Sequence, residues 1–161
     1  MAYNNFLEDV PGIQSLFTFR PETGKHLYDL ALVSLNGESP LTHSKRKFIA
    51  AYVYYLHNYI FSSKNQESKF TNDEKSAIVD KVLKDMNQAN VSDKMKALLH
   101  IVFKVQISGK EVKEEDIAEA RKYGADDRTI HDTMLIAVTF NMLNRYAKAL
   151  ASLKPNDANN R

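Results

Sequence analysis

The side chains best placed to do chemistry lie in one helix-length run, "AAYVYYLHNYIFSSKNQ", residues 50–66. Tyr55, Tyr59, Ser62 and Gln66 follow one another at spacings of four, three and four, which puts them on one face of a helix. Two phenols, a hydroxyl and an amide on one face suit a small polar-aromatic ligand. The same pattern describes a packed core whose tyrosine hydroxyls reach backbone or water. His57 sits in the run as well, and an imidazole titrates near neutrality. Ser62 lies five residues on, about 140° around the helix, so the two cannot pair as base and nucleophile. His57 therefore reads as a polar residue on the far side of the helix.

A second polar group interrupts the apolar run "TFNMLNRYAKAL": Asn141, Asn144 and Arg145. A buried arginine needs a carboxylate or carbonyl partner. Arg145 thus reads as a structural ion pair, a subunit contact, or an anchor for a ligand carboxylate near the helix carrying Tyr59. His131 and Asp132 are adjacent and do not share a face. His26, His43 and His100 are single, with no second histidine at helical spacing, so no metal site is expected. Glycine-rich phosphate loops and HExxH are missing, and no cofactor is expected. The chain has no cysteine, which removes disulfides, thiolate ligands and any thiol nucleophile.

These groups must be positioned by helices. The chain has 161 residues, enough for one domain with a real core. Only five glycines and four prolines punctuate it, and no alternating run or Asn-Gly hairpin signals a strand. "ETGKHLYDLALVSLNG" places Leu27, Leu30, Val33 and Ser34 at helical spacing and stops at Gly37. "THSKRKFIAAYVYYLHNYIFSSKN" can be capped by Thr42. It is apolar on two sides, through Ile49, Val53, Leu56 and Ile60, and through Phe48, Tyr52, Tyr55 and Tyr59. That is the pattern of a central, buried helix. Thr71 and Glu74 open a further helix at capping-box spacing. Ser92 caps another, carrying Met95, Leu98, Leu99, Val102, Phe103 and Val105. A short helix ends at Gly124, and a long one starts at Asp126. The spacing predicts an all-α bundle of six or more helices. Residues 1–153 form the single domain, with an aromatic N-terminal arm, and residues 154–161 a loose polar tail.

Basic and acidic side chains number 22 and 20 and are interleaved, for a net charge of +2; nucleic acid is not an expected partner. No basic stretch followed by an apolar run opens the chain, and no run is long enough to span a bilayer. The expectation is a cytoplasmic protein with no membrane partner.

Three stretches together resemble the carboxymuconolactone decarboxylase and alkyl hydroperoxidase D superfamily, particularly its peroxidase-related branch. They are "PLTHSKRKFIAAYVYYLHN", the long segment "SDKMKALLHIVFKVQISGKEVKEEDIAEARKYGADDRTIHDTMLIAV", and "TFNMLNRYAKAL" with its Asn-Arg pair and following aromatic. The likeness spans residues 11–153 and implies an alkyl hydroperoxidase D-like helical bundle. Hydroperoxidase-type members carry a glutamate after the arginine that precedes the apolar run; here Lys47 follows Arg46. The resemblance puts the first redox cysteine at Tyr59, the second at Ser62 and the relay histidine at Gln66. All four positions depart from the pattern, so the resemblance implies a degenerate site. Thiol peroxidase chemistry needs a thiolate to attack the O–O bond and a second thiol to resolve the sulfenic acid. Phenol and hydroxyl do neither.

The expected function is a small-molecule-binding or assembly protein, with Tyr55, Tyr59, Ser62, Gln66, His57 and Arg145 as ligand-pocket candidates. The alternatives are a non-thiol enzyme of the decarboxylase type, with His57, Lys47 or Arg145 in acid–base roles, and a residual peroxide-defence role. The resemblance further implies a homo-oligomer built from dimers.

Overall fold

The computed structural model describes residues 16–59 and 91–152, with backbone only at residues 58 and 59. Among the described residues there are six α-helices, a 3-10 turn and no strand. The all-α reading holds. The helices expected over residues 60–90, the N-terminal arm and the tail lie outside the described residues, and so does the domain boundary at residue 153.

A four-residue helix, α1 (Leu16–Phe19), leads into α2 (Pro21–Asn36), which takes Pro21 in its first turn, where a missing N–H costs nothing. Gly24 is where the two meet. A Cβ there would stand 2.1 Å from the Leu16 carbonyl oxygen. The buried line of α2 is Gly24, Ala31 and Leu35, not the Leu27, Leu30, Val33 and Ser34 stripe expected from spacing. Val33 is 59% exposed. Two of the three buried residues are small, and the helix is approached most closely there; the larger aliphatics flank that seam.

The C-terminus of α2 is closed from the next helix, α3 (His43–Tyr59). Arg46 Nη1 donates to the carbonyls of Ser34 (3.3 Å) and Gly37 (2.7 Å), and the His43 ring meets the Leu35 carbonyl at 3.0 Å. Cationic and polar groups at that end satisfy otherwise orphaned carbonyls and oppose the negative end of the helix dipole. Burial lowers the pKa of the Arg46 guanidinium, while Asp132 works against that shift. Thr42 caps α3 as expected, accepting from Lys45 N–H at 3.3 Å. Ile49, Ala50, Tyr52, Val53 and Leu56 are all fully buried, so α3 is the central helix that its two apolar sides predict.

Helix α4 (Asp93–Ile107) opens on the Ser92 cap, whose hydroxyl accepts from Met95 N–H. It is buried nearly all round, from Met95 through Gln106. A 3-10 turn (Gly109–Glu111) leads to α5 (Glu114–Lys122). Buried Asp116 ties α5 to its surroundings. It accepts two 2.8 Å bonds from Lys104 and one of 2.7 Å from Lys113 N–H, with His100 at 3.6 Å. Burial pushes its carboxyl up, but Lys104, the Lys113 amide and His100 together hold it below the usual value. Gly124, with φ of 91°, ends α5. Gly124 N–H bonds back to Arg121 and Ala125 N–H to Ala120, a left-handed cap that only glycine adopts without strain.

The last helix, α6 (Asp127–Ala151), begins at the Asp126 cap and packs most extensively on α3 and then on α4. Arg46 lies in the field of Asp132 near the start of α6, and His57 in that of Arg145 and Lys148 near its end. The two helices therefore run in the same direction. Lys94 acts on Asp126, and Gln106 donates to the Ala137 carbonyl at 3.3 Å, so α4 runs that way too. The core is the seam among these three parallel helices.

Candidate functional site

On α3, Arg46, Ala50, Val53 and His57 recur at spacings of four, three and four and share one face of the helix. All four are buried. Tyr55 is two residues from His57 and so lies on nearly the opposite side of the helix, half-buried against the core. His57 does lie on the far side of α3 from Tyr55, as its spacing predicts, but that side is buried too: His57 is 5% exposed.

His57 is buried without a partner for Nδ1 among the described residues. Desolvation, then Lys148, then Arg145 hold its pKa down to about 4 from an ordinary 6.5. It is a neutral imidazole at physiological pH, next to two cations. Asn144 lies on the same turn of α6 as Arg145, but on the buried side: it is 4% exposed, and its amide nitrogen is likewise unpartnered. Arg145 is exposed and donates from Nε to Asn141 Oδ1 at 3.0 Å. Its guanidinium is not the buried group that the interruption of the apolar run suggested; Asn144 is. Neither Arg145 nor Lys148 forms an ion pair among the described residues.

The other candidates are scattered. Lys47 is half-buried on α3, off the His57 stripe. Tyr59 closes α3, but its side chain, like Ser62 and Gln66, lies outside the described residues, so the four-residue face is described only through Tyr55. His131 Nδ1 meets Asp132 Oδ1 at 3.0 Å, and Asp132 also accepts from Ser39 at 2.6 Å. No group of three metal-ligating side chains gathers among the described residues. Nor is any described helix long and apolar enough to cross a membrane.

Sequence reasoning singled out Asn144 without making it a pocket candidate, and it missed Lys148 and Gln106. Asn144 was visible as a polar residue one turn beyond Phe140 on an apolar line. Lys148 continues that line by another four residues. Gln106, 2% exposed with Oε1 unpartnered, ends a helix whose apolar pattern gave no sign that its last turn was still inside. His57, with Arg145 and Lys148 acting on it and Asn144 on the turn of Arg145, lies toward the far ends of α3 and α6, while Gln106 stands apart, bonded to Ala137. This group contains no soft nucleophile.

No protein-family model and no curated protein matches the sequence. Two solved structures share the fold. An uncharacterized peroxidase-related protein from Silicibacter sp. TM1040 is 24% identical with a TM-score of 0.63, over 86% of this chain and 73% of that one. The alkylhydroperoxidase AhpD core of an uncharacterized peroxidase-related protein from Ralstonia eutropha JMP134 is 21% identical with a TM-score of 0.65, over 95% and 82%. At these identities the likeness bears on architecture alone: the chain has the AhpD-core fold, as its resemblance to that superfamily implies.

Proposed function

We propose that this chain uses the AhpD-core fold to bind a small molecule and that it carries no thiol peroxidase centre. The observation that supports binding is the pair of buried, unpartnered polar groups, His57 Nδ1 and Asn144 Nδ2, beside Lys148 and Arg145. A buried donor without an acceptor costs about 1–3 kcal/mol, and a ligand that supplies the acceptor recovers it. The reading against peroxidase chemistry rests on the sequence: with no cysteine, no group cycles between thiol, sulfenic acid and disulfide. A residual peroxide-defence role would need a different reductant chemistry altogether.

The decarboxylase-type alternative is the weaker one. His57, held to about 4, is a poor base at neutral pH and is not protonated to act as an acid. Arg145 is exposed and bonded to Asn141. The proposed ligand site centres on His57 and Asn144, with Tyr55 on the other side of α3. The test is a thermal-shift screen of metabolites against the full-length protein, followed by calorimetry on the hits. Saturable binding at one site per chain supports the reading, and a screen with no saturable ligand ends it.

The protein works as a cytoplasmic homo-oligomer built from dimers in the same proposal. Val33, Val138 and Met142 expose 59%, 53% and 38% of their surfaces, and Val138 and Met142 sit one turn apart on the open side of α6. Light scattering at micromolar concentration should give a mass of two chains or a multiple of two; a strict monomer removes the assembly part.

A further inference from the structure

Resting on the binding reading above, we propose that the far ends of α3 and α6 form a site for one small monovalent oxyanion. His57 Nδ1–H and the Asn144 amide are the buried donors, and Arg145 and Lys148 form the cationic rim. Four observations point the same way. His57 is 5% exposed and Asn144 4%, and both have a buried nitrogen with no acceptor among the described residues. Arg145 and Lys148, close enough to depress the imidazole, have no carboxylate partner among the described residues. Among the described residues, the charges acting on His57 are both positive.

The chemistry narrows the occupant. A neutral imidazole with its proton on Nδ1 donates once, and a primary amide donates twice. Two nearby positive charges repel a cation. A buried water could accept from both donors but would leave both cations uncompensated. An oxyanion answers all four groups, since bonds from N–H to a charged acceptor are stronger than those between neutral groups. An unpartnered acceptor among the described residues, Gln106 Oε1, belongs to a side chain anchored at Ala137. That is seven residues back from Asn144, about 10 Å along the helix. Two inner donors and an outer cationic rim match the acceptors and single charge of a small head such as formate, acetate or nitrate.

The experiment follows the side-chain imidazole resonances of the full-length protein, labelled with nitrogen-15, as sodium formate, acetate and nitrate are each titrated at constant ionic strength. Expected is a saturable shift at His57 and an upward move of its titration midpoint, because a bound anion stabilises the imidazolium. Asn144→Leu should weaken binding by about tenfold or more, and Arg145→Ala and Lys148→Ala by a few-fold each. Should Asn144→Leu not fold, Asn144→Asp keeps the shape and sets a negative charge against the anion, so binding should vanish. A shift that grows linearly with each salt is mere screening and overturns the proposal. So does a saturable shift unchanged in the Asn144 variant. If the anions fail while the metabolite screen still yields a ligand, the oxyanion class is wrong and the binding function stands. If both fail, both readings fall.

Discussion

His57 shows how far a single side chain can be moved from its ordinary chemistry by its neighbours. Its folded pKa, about 4, lies below the ordinary 6.5, so between those values the unfolded chain takes up a proton that the folded chain refuses. The fold must therefore lose stability as pH falls through that window, and regain it above 6.5. His57→Phe, of similar size and without a titrating group, should remove that slope. By chemical denaturation at pH 5 the variant should gain about 2 kcal/mol relative to wild type, compared with the difference at pH 7.5. Equal slopes for the two proteins would show that His57 stays solvated. Asp116 works through the opposite kind of group. Its carboxyl is held below the ordinary 3.8, so its contribution is present above that value and is lost as acid protonates it. Asp116→Asn leaves Lys104 without its two 2.8 Å partners and should cost about 2–3 kcal/mol at pH 7. Its acid unfolding should be correspondingly shallower below pH 4. Neither role was legible in the sequence. His57 and Asp116 each look like ordinary polar residues until the fold sets α6 beside one and α4 beside the other and removes them from water.

At the level of the helices, caps were the most readable signals. Thr42, Ser92, Asp126 and Gly124 all do what their types predict, because a cap is satisfied by backbone within four residues and needs no knowledge of the rest of the fold. The two-sided apolarity of α3 was readable for a similar reason: a helix that is greasy on two faces can only be central. The inner face of α2 was not. Leu27, Leu30 and Val33 are bulky aliphatic side chains, yet the buried line is Gly24, Ala31 and Leu35, and neighbouring backbone comes close at Gly24. Gly24→Ala tests this. The added methyl would stand against the Leu16 carbonyl, which is backbone and cannot swing aside, so α1 must lift. The variant should lose about 2 kcal/mol or more in urea unfolding. An unchanged midpoint would mean that α1 contributes nothing to the fold's stability.

For the molecule as a whole, the fold and the absence of cysteine pull in different directions, and chemistry decides. The unmodified protein should show no peroxide consumption with dihydrolipoyl or thioredoxin-type reductants in a coupled assay with metals chelated. Robust turnover would mean that some non-thiol group does the work. Restoring Cys at both Tyr59 and Ser62 should give at most weak activity, since Lys47 offers no carboxylate and Gln66 no proton relay. Adding Lys47→Glu and Gln66→His should raise it.

The same-direction run of α3 and α6 also bears on how the chain reaches this state. Ser39 and Asp132, bonded at 2.6 Å, are 93 residues apart in sequence, and Arg128 reaches the Glu38 carbonyl across 90. Most helical proteins fold quickly because neighbouring segments meet first. Here the main seam closes a loop of that length before its contacts can repay the lost chain entropy. Refolding should accordingly be slow for an all-α protein, nearer milliseconds to seconds than microseconds. During synthesis the buried stripe of α3 stays uncovered until the last helix leaves the ribosome, and for that interval the nascent chain exposes Val53 and His57 to whatever else is present.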